Sequence, residues 1–159
     1  MSVLAYISQQ TVAEEISTCQ DYCKDYGWLI SSLDEVSQSF TVTMESPIDQ
    51  QQFIIHFSYD NYPETPYLID FIHPESKIKG TPAAYPKYSG DSFFNQYNTQ
   101  GVICHPCSRK SYSGYTGIHA DWQVSSWRTI AGGLTNLCAI LDTIYSRISN
   151  RQYYVGRMV

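Results

Sequence analysis

Gly101-Val102-Ile103-Cys104-His105-Pro106-Cys107 ends a short apolar run with a thiol, and the run begins on a glycine. Upstream lies a proline-rich turn, Tyr62-Pro63-Glu64-Thr65-Pro66. Downstream stand a tryptophan, Trp122, and a long segment with apolar residues at helical spacing. Strands, then a cysteine on a loop, then a helix is the order these signals imply.

On the upstream side the period is two. Trp28–Leu33, Ser39–Glu45, Gln52–Tyr59 and Tyr67–His73 are rich in β-branched and aromatic residues and read as four strands. Phe40, Val42 and Met44 alternate with Thr41, Thr43 and Glu45, so one face is buried and the other wet. Pro47-Ile48-Asp49-Gln50 fits a turn, and the short connections predict an antiparallel meander rather than crossovers through helices. Before the strands, Val12, Ile16, Cys19, Cys23 and Tyr26 form one helical stripe closed by Gly27. Thr11-Val12-Ala13-Glu14 reads as the capping box that starts it, with residues 2–7 as a lead-in.

After the strands, residues 74–100 and 108–121 are broken by proline and glycine and are expected to be irregular. From about Ser125 to Ser149, Trp127, Ile130, Leu134, Leu137, Ile140, Leu141, Ile144 and Ile148 mark the apolar face of a long helix. Gly132-Gly133 is its weak point, costing roughly 1 kcal/mol per glycine against alanine. The tail from Arg151 to Val159 has room for one more turn or strand.

The chain has 159 residues, 43% hydrophobic and 16% charged, which suits one α+β domain over 1–159 with a single core. Net charge is −5 and no basic run exceeds Arg109-Lys110, so nucleic acid is not the expected partner. No run of about 18 apolar residues predicts a membrane span, and no basic start followed by an apolar stretch marks a signal peptide. Five cysteines make an odd number for a disulfide framework, so a reducing, cytoplasmic setting is expected.

Several motifs together resemble the ubiquitin-conjugating (E2) fold. Phe53-x-Ile55-x-Phe57, then Tyr62-Pro63-x-x-Pro66 and Asp70-Phe71, are similar to the family's third strand, Tyr-Pro-x-x-Pro turn and fourth strand. Gly101-x-Ile103-Cys104 is similar to its Gly-x-Ile-Cys, and Trp122, Thr129-Ile130 and Leu134 to the tryptophan and helix that follow. The resemblance covers about residues 10–148 and implies a UBC-like α+β fold: N-terminal helix, four-stranded meander, cysteine loop, C-terminal helix. It implies that Cys104 carries a ubiquitin-like protein as a thioester, received from an activating enzyme and passed to an amine on a target protein. No cofactor or metal is implied.

Three departures from the family matter. Its His-Pro-Asn motif is missing, and Phe94-Asn95-Gln96 stands in that place, so Gln96 or Asn95 is the expected amide donor to the oxyanion. The first helix is acidic, with Glu14, Glu15, Asp21 and Asp25, where familiar members are basic and dock the activating enzyme. The chain also stops soon after its second long helix. This pattern resembles the divergent bacterial members found in ubiquitin-like conjugation operons, some linked to antiviral defence.

His119, in Gly117-Ile118-His119-Ala120-Asp121-Trp122, is placed where a side chain can fold back over a thioester, and Asp121 to orient it or accept a proton. Arg109, Lys110 and His105 are the nearby cations that would favour the thiolate. Cys104-His105-Pro106-Cys107 can also be read as a redox pair, or as part of a zinc site with His119 and Cys19/Cys23. His56, His73 and Cys138 read as structural. The alternative to an enzyme is an inactive member of the same fold that binds a ubiquitin-like protein or an adaptor.

Overall fold

A computed structural model describes residues 2–159. Helix α1 spans Val3–Thr18 and α2 spans Gln20–Tyr26. The strands expected as a meander follow: β1 Leu29–Ile30, β2 Ser39–Glu45, β3 Gln52–Ser58 and β4 Leu68–Ile72. They pair antiparallel in sequence order, forming the four-stranded sheet at the centre of an α+β fold. Phe40, Val42 and Met44 of β2, Phe53, Ile55 and Phe57 of β3, and Ile69 and Phe71 of β4 are buried on one face. Phe40 stacks on Phe57, its register partner, with ring centroids 5.1 Å apart.

The first helix begins earlier than its sequence suggests. Ser2 is the cap, its hydroxyl accepting from the Ala5 N–H, and the helix runs through residues 3–7. Thr11 lies inside it and donates back to the Ile7 carbonyl, so the expected capping box at Thr11 and Glu14 does not exist. The Ser8 hydroxyl explains part of the extension: it donates to the Tyr62 carbonyl at 2.6 Å and anchors the early turns on the proline-rich turn between β3 and β4. Gly27 ends α2 in the left-handed conformation (φ 71°), as expected of a glycine closing a helix.

Residues 74–100 are more ordered than their composition implies. β5 (Pro86–Tyr88) and β6 (Phe94–Tyr97) lie within them, and β7 (Gln100–Ile103) forms a hairpin with β6. β5 pairs instead with β8 (Tyr154–Arg157), the strand formed by the tail. Gly101 in β7 is required by a close approach: a Cβ there would sit 2.2 Å from the Tyr85 ring.

The long C-terminal helix is two. α3 (Trp127–Ile130) stops before Gly132, which takes φ 62°, and α4 (Leu137–Ile148) starts afresh with Asn136 as cap. The glycine pair is a break rather than a soft spot within one helix. Ile130 is accordingly exposed, whereas Leu137, Ile140, Leu141, Ile144 and Ile148 are buried.

A half-buried carboxylate ties the layers together. Glu15 of α1 accepts from the Tyr62 hydroxyl (2.6 Å), the Tyr67 hydroxyl (3.1 Å) and the Leu137 amide at the start of α4 (2.7 Å). Burial raises its pKa, and those hydrogen bonds draw it partly back. A folded-state value above the unfolded one means the group favours folding below about pH 4 and loses that contribution as pH rises through the folded value.

Replacing Glu15 by alanine strands two tyrosine hydroxyls and a helix amide, and is expected to cost at least about 2 kcal/mol in chemical denaturation. Glu15→Gln keeps most partners, because Tyr62 can turn its hydroxyl to the Thr135 carbonyl at 3.3 Å. Its stability relative to the native chain should rise from about pH 4 towards neutrality. Gly101→Ala should lose about 3 kcal/mol or more, since the clash is with a buried ring.

Candidate active site

Cys104 follows β7 directly, and its amide donates to the Phe93 carbonyl at 2.8 Å, carrying the hairpin register one step further. In that register Asn95 is opposite Val102 and Gln96 opposite Gly101. Side chains alternate faces along a strand, so Asn95 falls on the Cys104 side and Gln96 on the other. Gln96 instead donates its amide to the Asn98 carbonyl at 3.0 Å. Hairpin parity thus turns the expected Gln96 away from the thiol and leaves Asn95 as the amide on its side. Asn95 and Gln96 both line an open groove of about 380 Å³ that includes neither Cys104 nor His119.

The Cys104 thiol is half-buried. Burial pushes its pKa up, and the nearby Asn95 side chain pulls it down. Its Sγ lies 2.8 Å from Nε2 of His119. Two main-chain bonds hold the histidine there: its amide donates to the Ser111 carbonyl (2.9 Å), and its carbonyl accepts from the Trp122 amide (3.1 Å). Ser111 in turn donates its hydroxyl to the Ile103 carbonyl at 2.5 Å, next to the cysteine. Trp122 lies flat on the imidazole, with ring centroids 3.7 Å apart and planes 8° from parallel. Tyr112 packs edge-on against Trp122 and donates its hydroxyl to the Pro106 carbonyl at 2.7 Å. The loop after the cysteine is thus fastened at both ends.

The other expected members of the site lie elsewhere. Asp121 is exposed and its carboxylate makes no hydrogen bond among the described residues, so nothing there orients His119. Arg109 and Lys110 do not face the thiol. Arg109 grips the Asp60 carboxylate (3.0 and 3.1 Å) and the Pro66 carbonyl (2.9 Å), while Lys110 pairs with Asp70. Both are buried, and they pin this segment to the Tyr-Pro turn and to β4. His105 accepts the Cys107 amide on Nδ1 and stands near Phe93; burial and Arg147 lower its pKa.

The remaining cysteines form neither a redox centre nor a metal cage here. Cys107 is fully buried, and burial pushes its thiol up to about 12, which disfavours thiolate chemistry. All five thiols are free. Among the described residues no three His, Cys, Asp or Glu side chains converge as a metal site requires. Cys19 is buried, and Cys23 and Cys138 pack against the core beside it. His73 accepts two turn amides on Nδ1, and His56 faces Asp70 across β3 and β4. Among the described residues no helix is long and apolar enough to cross a membrane.

What the arrangement can do is nucleophilic catalysis by a thiol paired with a base. With burial opposing the thiolate, the thiol attacks most easily when His119 takes its proton in the same step. Asn95 is the amide side chain on the thiol's side of the hairpin. Alkylation by iodoacetamide followed against pH tests this pairing: His119→Ala should slow Cys104 alkylation at neutral pH by about tenfold or more. Asn95→Ala should move the rise in rate to higher pH, because the group that lowers the thiol pKa is gone.

No protein-family model matches this chain, and no curated protein matches it either.

Proposed function

We propose that this chain is a UBC-like conjugating enzyme: Cys104 receives the C-terminal acyl group of a ubiquitin-like protein from an activating enzyme and passes it to an amine on a target protein. The observation that carries this reading is the 2.8 Å approach of His119 Nε2 to a half-exposed Cys104 Sγ. The order of elements and the Gly-x-Ile-Cys stretch at the end of a hairpin support it.

In the loading step the Cys104 sulfur bonds to the carbonyl carbon of the incoming thioester. Its proton goes to Nε2 and from there to the activating enzyme's sulfur, which leaves as its C–S bond breaks. In discharge a target amine attacks the Cys104 thioester, Nε2 takes a proton from the nitrogen, an amide forms and the C–S bond breaks. The Asn95 amide, on the thiol's side of the hairpin, donates to the oxyanion in both steps. Glu14, Asp21 and Asp25 form an exposed acidic flank on α1 and α2, suited to a basic docking surface on the activating enzyme. Glu15 is not part of that flank, being committed to the core.

Incubation with an activating enzyme, its ubiquitin-like partner and ATP should give an adduct at Cys104 that thiol reductant removes. Cys104→Ser should yield a reductant-stable ester or nothing. His119→Ala, loaded at high activator concentration, should discharge to free lysine about a hundredfold more slowly. Failure of the native chain to load, with an activator shown to be competent on another carrier, would leave an inactive binding module of the same fold as the description.

A further inference from the structure

We infer that the same pair of side chains makes this protein an acyl hydrolase in its own right, acting on small unhindered esters and thioesters and releasing the acyl group to water. This activity uses Cys104 and His119 but needs neither a carrier protein nor an activating enzyme. It therefore stands or falls separately from the conjugation reading.

The argument begins with what stays behind after the thiol is acylated. The imidazole that took the proton does not leave: main-chain bonds to Ser111 and from Trp122 hold its backbone, and the Trp122 ring covers one of its faces. Nε2 therefore remains beside the new C–S bond, while Nδ1 has no protein partner among the described residues. A base fixed next to an acyl carbon accepts a proton from whichever nucleophile arrives. Cys104 and His119 are both partly exposed. Water is smaller than any amine side chain, so a half-exposed sulfur that admits an amine admits water as well.

The steps balance as follows. The Cys104 sulfur bonds to the acyl carbon, and its proton passes to Nε2 and then to the departing alcohol or thiol. Water next approaches the acyl carbon. Nε2 takes one of its protons, the oxygen bonds to carbon, the C–S bond breaks, and the sulfur recovers the proton from Nε2. A carboxylic acid and the alcohol or thiol are released, with the Asn95 amide donating to the oxyanion each time. No oxidant, metal or cofactor enters.

The test uses the whole chain with p-nitrophenyl acetate and with S-phenyl thioacetate, following product absorbance and, by mass spectrometry, the acetyl group on Cys104. Native protein should release about one equivalent in a burst and then turn over steadily, with the acetyl adduct decaying within the assay. Cys104→Ala should show no burst. In His119→Ala any acetyl adduct that forms should persist about a hundredfold longer, and His119→Gln should behave alike. An acetyl adduct on native Cys104 that persists without turnover would overturn the inference. So would steady turnover retained by Cys104→Ala or by both His119 variants. None of these outcomes bears on whether an activating enzyme can load the protein.

Discussion

The carboxylate of Glu15 is the joint on which the packing of this protein depends. It lies among buried aromatics and gathers donors from three separate parts of the chain: Tyr62 in the proline-rich turn, Tyr67 before β4, and the first amide of α4. An ionised group in such a place is costly unless its lone pairs are filled, and a helix N-terminus adds a favourable dipole. The stacked rings of Tyr62 and Tyr67, 3.8 Å apart, hold both hydroxyls towards the same point. The first helix, the sheet and the last helix are thereby locked in one relation, and that relation sets where the hairpin and the loop after the cysteine can lie.

Two buried cations extend the same logic to the active site. Arg109 and Lys110 follow the cysteine closely in sequence, yet their charges are spent on Asp60 and Asp70. Their task is mechanical: they draw the 3₁₀ turn at Arg109–Ser111 under the sheet, which puts Ser111 where it can hold both Ile103 and His119. The thiol is left without a nearby fixed positive charge, and the imidazole is the partner that compensates. Such an arrangement suits moving a proton at the moment of attack rather than storing a thiolate.

Much of this was legible in the residues. The alternation of Phe40, Val42 and Met44 with threonines placed β2 to the residue, because a half-buried antiparallel strand leaves that mark. Cys104 at a strand end and His119 returning from the following loop were both visible as pattern. Three features were not. Residues 3–7 show no helical stripe because they face solvent, so the helix start was hidden from a reading based on burial. β5 and β8 pair across more than 60 residues, a partnership no local signal encodes. The choice between Asn95 and Gln96 depended on hairpin register, which a spacing counted from the cysteine does not contain; noticing that Asn95 shares the parity of Val102 and Cys104 would have resolved it. Asp121 was assigned by proximity in sequence alone, and a loop residue two positions from a catalytic one is as free to face away as towards it.

The contact between Gly101 and Tyr85 carries a consequence for ancestry. The glycine three residues before the nucleophile is held in place by an aromatic ring, not by chemistry, since any side chain at that point meets the ring. Selection on folding would preserve it in a descendant that had abandoned the thiol altogether. The glycine of this stretch therefore reports on packing, and Cys104 and His119 alone report on chemistry.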